Sequence, residues 1–484
     1  MSQRPNLIYV MADAYRAQAM GFMNADPVAT PNLDAFADQA VKLSHCVSTK
    51  PICSPYRGML LTGRYLHDNG VPKNCNSDRP EVYLRPETVC WSDILAAEGY
   101  SLGYIGKWHL DTPGDQPHEW LSNRRPRTRQ WDAFTPPGPQ RHGFGFWYAY
   151  GCCNTHFQPH YWTGEGGIES RIDVDQWAPE HEADVAISFL RNEGGAYRHA
   201  QQPFALVWAP NPPHGPHHFV PEKYRAVYRD RPIEQLLNRP NVQLEGGDGS
   251  EAPDVAADYF ALCTGVDAQF GRLLSELDAQ GLAENTIVIF TSDHGEMLGS
   301  HGRMRKSVWY DESMLVPFLM RYPASARPRW DDLLLSTPDL CPTLLGLCGL
   351  ADKTPDGVQG QDLSATLTRG EGPRPSEALY LSADTDSATS GAVGLRTQRY
   401  TYVCPLAGGS DQLPGRLLFD SQTDPYQMTN LAAGHPDVVA DLHGRLLARL
   451  AEIDAPWTLP PGRCRRGRRP VGGRKGTQAC RWYR

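Results

Sequence analysis

Strand-length apolar runs, recurring between segments of helical pattern and each followed at once by residues able to hold an ion, set the tightest limit on this chain. Residues 6–11 form one such run and stop at Asp13. The pattern predicts further strands over 101–105, 204–209 and 286–292. Between them, Thr30 can cap a helix with Pro31 at its first position and Leu33, Phe36 and Ala40 at helical spacing. Further helices are predicted over 91–98, stopped by Gly99, and over 180–191 and 256–279. Strands alternating with helices imply an α/β fold, with a large, mostly parallel sheet sandwiched by helices. Such sheets bind ligands beyond the carboxyl ends of their strands, where these ion-holding residues fall. After about residue 375 the texture changes to short runs at 378–381, 392–396, 400–404 and 416–419, then a helix over 435–451. We therefore divide the chain into a catalytic α/β domain (1–375), a small C-terminal α+β subdomain with an antiparallel sheet and a helix (376–460), and a basic tail (461–484) expected to be disordered. The Pro/Gly-rich segments 111–145 and 232–253 read as long surface loops that shape a pocket.

Composition removes several function classes. The longest apolar runs, such as 204–209 and 285–290, fall far short of the roughly 20 residues of a membrane span. The first eleven residues lack the long apolar stretch of a signal peptide, so a cytoplasmic protein is expected, with export from an upstream start left open. The formal charge is −8, but residues 463–484 hold nine basic and no acidic residues, leaving 38 basic against 55 acidic elsewhere. An acidic body argues against a nucleic-acid partner. The 12 cysteines contain no CxxC pair, and a chain of this length needs no disulfide scaffold. Most of them read as small buried hydrophobes.

Cys53 is the exception. In Cys53-Ser54-Pro55-Tyr56-Arg57, Pro55 can open a helix whose free N–H groups face an anion, with Arg57 adding fixed charge and Cys53 placed as a nucleophile. A half-buried cysteine at a helix start is the plainer alternative. Lys107 and His109 follow a strand two residues apart, so on an extended segment both project to one side and can meet one anionic group. His214 follows the run at 204–209, and Lys306 lies a short way beyond Asp293-His294 with Arg303 and Arg305 as competitors. Asp13, Asp293 and His294, all at strand ends, make a set of hard-cation ligands, against the alternative of loop capping. Asn74 reads equally as a turn residue and a substrate contact. The aromatic segment 147–162, with His156 and His160, reads equally as core and as the lining of a sugar-binding pocket.

Together these segments resemble the type I sulfatases of the alkaline phosphatase superfamily. The likeness is carried by CSPYRGMLLTGR (53–64) and GYSLGYIGKWHL (99–110), and extends from Pro5-Asn6-Leu7 to Asp424-Pro425 and Asn430-Leu431. It implies an alkaline-phosphatase-like fold, and oxidation of Cys53 to formylglycine by a formylglycine-generating enzyme, with the hydrate as nucleophile. It further implies a divalent metal, normally Ca2+, on Asp13, Asp293, His294 and residue 53, with Arg57 supporting the formylglycine. Lys107, His109, His214 and Lys306 would bind sulfate and assist proton transfer. Of these, His214 is preferred as acid and His109 as the base of the release step. Many relatives carry a further ligand, often Asp, where this chain has Ala14, which leaves one protein oxygen fewer. The expected reaction is hydrolysis of a sulfate monoester, on a sulfated carbohydrate, with Asn74, His156 and His160 as substrate contacts. The competing readings are a phosphonate or phosphate ester hydrolase on the same scaffold and a non-catalytic anion-binding homologue whose Cys53 is never converted.

Overall fold

A computed structural model of the chain describes residues 4–113, 129–383, 385–410, 413 and 415–460. The basic tail therefore lies outside the described residues. Ten strands form the main sheet: β1 (Asn6–Ala12), β2 (Val41–Val47), β3 (Ser101–Lys107), β4 (Phe146–Tyr150), β5 (His160–Thr163), β6 (Arg171–Asp173), β7 (Phe204–Ala209), β8 (Thr286–Ser292), β9 (Phe318–Arg321) and β10 (Arg329–Ser336). Their order is β10-β2-β9-β8-β1-β7-β3-β4-β5-β6. The central run β8-β1-β7-β3-β4 is parallel. β9 runs antiparallel between β2 and β8, and β5 and β6 extend the far edge antiparallel. The sheet is thus mixed but mostly parallel, an alkaline-phosphatase-like arrangement.

β1, β7 and β8 are buried at every residue, which is why they read as unbroken apolar runs. Alternate side chains feed two cores. Leu7, Tyr9, Val207 and Ile289 join one with α2 (Cys53–Thr62), α3 (Trp91–Ala97) and α6 (Leu340–Leu347). Ile8, Val10, Trp208 and Phe290 join the other with α1 (Pro31–Ala37), α4 (Ala178–Arg191) and α5 (Ala252–Ala279). Thr30 precedes α1 as expected but its hydroxyl does not cap the helix. It accepts the Gly21 N–H (2.7 Å) and lies 3.0 Å from Asp34 Oδ1, so tertiary partners have taken the capping oxygen.

The C-terminal region forms a separate antiparallel sheet, β11 (Glu377–Leu381), β12 (Ala392–Thr397), β13 (Tyr400–Pro405) and β14 (Leu417–Asp420), covered by α7 (Pro436–Glu452). Leu442 and Leu446 of α7 pack with Leu379, Leu395 and Tyr402, and the same cluster takes in Met59, Tyr65 and Leu66. α2 is therefore clasped between the main core and the small sheet, and all ten of its residues are buried. The ten described cysteines are free, seven of them buried alongside Cys53. Among the described residues no helix is long and apolar enough to cross a membrane.

Candidate active site

Four neighbouring parallel strands deliver one residue set to one place. β1 ends into Asp13, β8 into Asp293-His294, β3 at Lys107, and β7 into the segment holding Asn211 and His214. Cys53 is the first residue of α2, which the chain enters after β2. Its thiol lies 3.0 Å from Lys306 Nζ, 3.4 Å from His294 Nε2, 3.8 Å from Asp13 Oδ1 and 3.9 Å from Lys107 Nζ. Burial and Asp13 push the thiol up, but Lys107, Lys306 and His294 overcome both and hold it well below its ordinary range.

The charge around Cys53 has a different origin from the one its sequence predicts. Pro55 is the third residue of the helix, not its opening one, and Pro has no N–H to offer. The Ser54 N–H is taken by Asn74 Oδ1 at 3.0 Å. Buried cations, rather than a fringe of free amides, make the site electropositive: Arg57, Lys107 and Lys306 surround two carboxylates. Arg57 donates through Nη2 to Asp13 Oδ2 (3.4 Å) and Asp293 Oδ2 (3.2 Å), and through Nη1 to the Lys107 carbonyl (2.5 Å). Lys107 Nζ donates to Asp13 Oδ2 (2.6 Å) and Asn211 Oδ1 (3.1 Å).

Lys107 and His109 do converge, though not by strand alternation. His109 has φ +55°, so the chain has turned out of the extended conformation by that residue. Its Nε2 donates to the Cys75 carbonyl at 3.2 Å, while the buried Nδ1 has no hydrogen-bond partner among the described residues. A carbonyl only accepts, so this contact keeps a proton on Nε2 and leaves Nδ1 as the nitrogen that gains or loses the second one. His214 has the opposite arrangement, with Nδ1 donating to the Gly215 carbonyl at 2.8 Å. Burial and Lys306 hold it well below its usual range, against Asp13. The backbone N–H of His214 donates to the Asp13 carbonyl at 3.0 Å. Lys306 is distinguished from Arg305, whose guanidinium is exposed and pairs with Glu251 at 3.0 Å.

Asp13, Cys53, Asp293 and His294 each offer a ligand atom within 4.8 Å of the others. Burial and Asp13 push Asp293 up to about 6, against His294 and Arg57. Two buried carboxylates this close repel each other, and a cation between them relieves that repulsion, so the donor set fits a divalent ion. At Ala14 the backbone turns through φ +65° and its N–H donates to Asp293 Oδ1 at 3.3 Å. Residue 14 thus addresses the ligand set with an amide in place of a side chain.

The expected substrate contacts separate. Asn74 holds the start of α2. His156 is buried and its Nε2 donates to the His214 carbonyl at 2.9 Å. His160 is paired with Asp132 at 2.7 Å, and Asp132, Cys153 and His160 form their own group of donors. Asn211 was not singled out by the sequence, yet its Oδ1 orients Lys107 and its Nδ2 donates to the Cys153 carbonyl at 3.1 Å. The only signal was its place two residues beyond β7. Cys152 is a second unanticipated neighbour, close enough to raise His109 with Cys53, against burial, to about 9.

Comparison with known proteins agrees with this geometry. The family described as Sulfatase matches residues 5–350, and the one described as N-sulphoglucosamine sulphohydrolase, C-terminal, matches residues 299–454. An endo-4-O-sulfatase of Bacteroides thetaiotaomicron is 42% identical over 94% of each chain. An ulvan-active sulfatase of Formosa agariphila is 34% identical over 93% of this chain and 82% of that one. A solved structure from work on glycosaminoglycan metabolism by Bacteroides thetaiotaomicron superposes with a TM-score of 0.87 at 41% identity, covering 94% of this chain and 98% of that one. The phosphonate monoester hydrolase of Agrobacterium radiobacter, at 24% identity and a TM-score of 0.67, shares the fold. With the family match spanning most of the chain and a sulfatase 42% identical end to end, the chain belongs to the sulfatases of the alkaline phosphatase superfamily.

Proposed function

We propose that this enzyme hydrolyses a sulfate monoester on a 4-O-sulfated saccharide, using formylglycine made from Cys53 and a divalent cation held by Asp13, Asp293 and His294. The observation that carries the reading is the position of residue 53, between the potential ligands and the paired ammonium groups of Lys107 and Lys306. The relative active on 4-O-sulfates, similar over nearly its whole length, supports the substrate class.

When present, the hydrated aldehyde supplies an attacking hydroxyl and a second hydroxyl for release, and the cation polarises the sulfate. The chain's own residues do the rest. Lys107 and Lys306 neutralise charge on the sulfate oxygens, and their rigid attachment to Asp13, Asn211 and His294 means no reorganisation is needed at the moment of reaction. Arg57 fixes both carboxylates in place. His109, with Nε2 on the Cys75 carbonyl, is the base of the release step: the thiols of Cys152 and Cys53 raise it, and conversion of Cys53 to an uncharged aldehyde removes one of them and favours the lone pair on Nδ1. His214, with Nδ1 on the Gly215 carbonyl, presents Nε2 to the leaving oxygen. Burial and Lys306 favour its neutral form, and a sulfate would set a negative charge beside it that favours the protonated form.

A peptide mass spectrum across Cys53, from protein made with a formylglycine-generating enzyme, tests this directly. Conversion lowers the mass by about 18 Da, the exchange of a thiol for an aldehyde. The converted protein should release sulfate from 4-O-sulfated glycosaminoglycan oligosaccharides, and Cys53→Ala should not. Equal sulfate release by Cys53→Ala would refute the mechanism. Faster turnover of an aryl phosphonate than of any sulfate would refute the substrate class.

A further inference from the structure

A cleft of about 270 Å³ opens beside the segment that carries His214. Phe157 and Phe219 form its apolar part, edge to face at 6.4 Å, and Phe157 is 39% exposed. Thr155, Gln158 and Asp175 supply its polar part, and Gln158 and Asp175 are exposed. A buried aromatic pair would be core. An aromatic left facing water next to hydrogen-bonding groups has the composition of a sugar-binding surface, with an apolar ring face met by an aromatic and hydroxyls met by amide and carboxylate. The remaining polar lining group, Gln176, is already engaged with Asp184 at 2.9 Å and with His181, so it serves as a wall.

The cleft is physically joined to the reaction centre. His156 forms its floor, 6.3 Å from the Phe219 ring, and donates to the carbonyl of His214. A ligand in the cleft therefore rests on the residue that sets the backbone of His214. The charges of the two places also differ. The reaction centre holds Arg57, Lys107 and Lys306, whereas among the described residues no lysine or arginine lines the cleft and Asp175 does. A sulfate or a uronate carboxylate meets no cation among these lining residues and faces Asp175, so the cleft suits an uncharged ring.

Resting on the sulfatase reading above, we infer that this cleft is a subsite for an unsulfated sugar ring beyond the one being desulfated, gripped by Phe157 and Phe219 and hydrogen-bonded by Asp175 and Gln158. Extended saccharides then gain binding that a monosaccharide lacks.

The test compares a 4-O-sulfated monosaccharide with an internally 4-O-sulfated tetrasaccharide whose other rings carry no charge. The wild-type enzyme should prefer the tetrasaccharide in kcat/KM. That preference should fall at least tenfold in Phe157→Ala and severalfold in Asp175→Ala, both changes at exposed positions that leave the core intact. An unchanged preference in Phe157→Ala overturns the subsite. Should the wild type release sulfate from neither compound, the sulfatase reading fails, and the cleft is judged separately by calorimetric titration with the unsulfated tetrasaccharide. Tenfold weaker binding by Phe157→Ala then upholds the subsite, and equal or absent binding by both proteins overturns it.

Discussion

Arg57 is buried with two carboxylates and a carbonyl in reach of one planar fork. Lysine offers a single charge on a flexible stem and cannot satisfy all three. Removing the guanidinium takes the Arg57 pairing from Asp293 and one of two strong cations from Asp13, which keeps Lys107, and breaking a buried pair costs about 3–5 kcal/mol. Arg57→Leu is therefore expected to unfold at markedly lower denaturant concentration. Arg57→Lys should stay folded but lose about 10²–10³-fold in kcat/KM, the scale for removal of one preorganised donor. Arg57 acts through the carboxylates, so the lysine variant should also bind the divalent ion more weakly in a calorimetric titration. Unchanged metal affinity with lowered kcat would instead mean that Arg57 meets the substrate itself.

At the scale of elements, the start of α2 and the middle of α4 carry opposite lessons about polar groups. Asn74 accepts the Ser54 N–H, one of the helix's otherwise unpaired donors. Asn74→Ala should lower unfolding stability by about 1 kcal/mol, the usual size of a lost cap. A raised KM with stability unchanged would return Asn74 to a substrate-binding role. Glu182 of α4 is buried and accepts from Tyr161 (3.0 Å) and Trp208 (3.0 Å). Burial pushes it up to about 8, against those two hydrogen bonds. Between its unfolded value of about 4.5 and that folded value the native state holds more protons than the unfolded state. Stability should therefore fall as pH rises from about 5 to 8, by at most about 1.4 kcal/mol per unit from this one group. Glu182→Gln should flatten the slope in urea melts taken across that range, and an identical slope in wild type and variant would show that Glu182 is ionised in the fold.

Across the whole molecule, what the sequence revealed follows from how much each feature depends on distant partners. β1, β7 and β8 were readable because a strand covered on both faces must be apolar throughout. β3 was expected to stop at Ile105, but runs on to Lys107 because Asp13 and Asn211 satisfy the lysine from neighbouring strands. β9 has four residues and no periodicity of its own, and its antiparallel insertion is imposed by β2 and β8. The candidate ligand set and the cations were legible through motif residues at strand ends, whereas Asn211 and Cys152 enter only through contacts between elements. The same dependence bears on the C-terminal region, which the change of texture near residue 375 marks off as a subdomain. β11 begins at Glu377, just beyond that boundary. Yet Met59, Tyr65 and Leu66 share a core with its sheet and α7, and Val47, Trp309 and Leu334 share another with Tyr380 and Phe419. Loss of residues 376–460 would bare the apolar residues of both clusters on the catalytic region, exposure of the kind that drives association, and would strip one side from the helix that carries Cys53. A chain ended at residue 375 is therefore expected to be recovered as aggregate without sulfate-releasing activity. A soluble, active monomer from that chain in size-exclusion chromatography would show that the small sheet is a true appendage and that α2 is held by the main core alone.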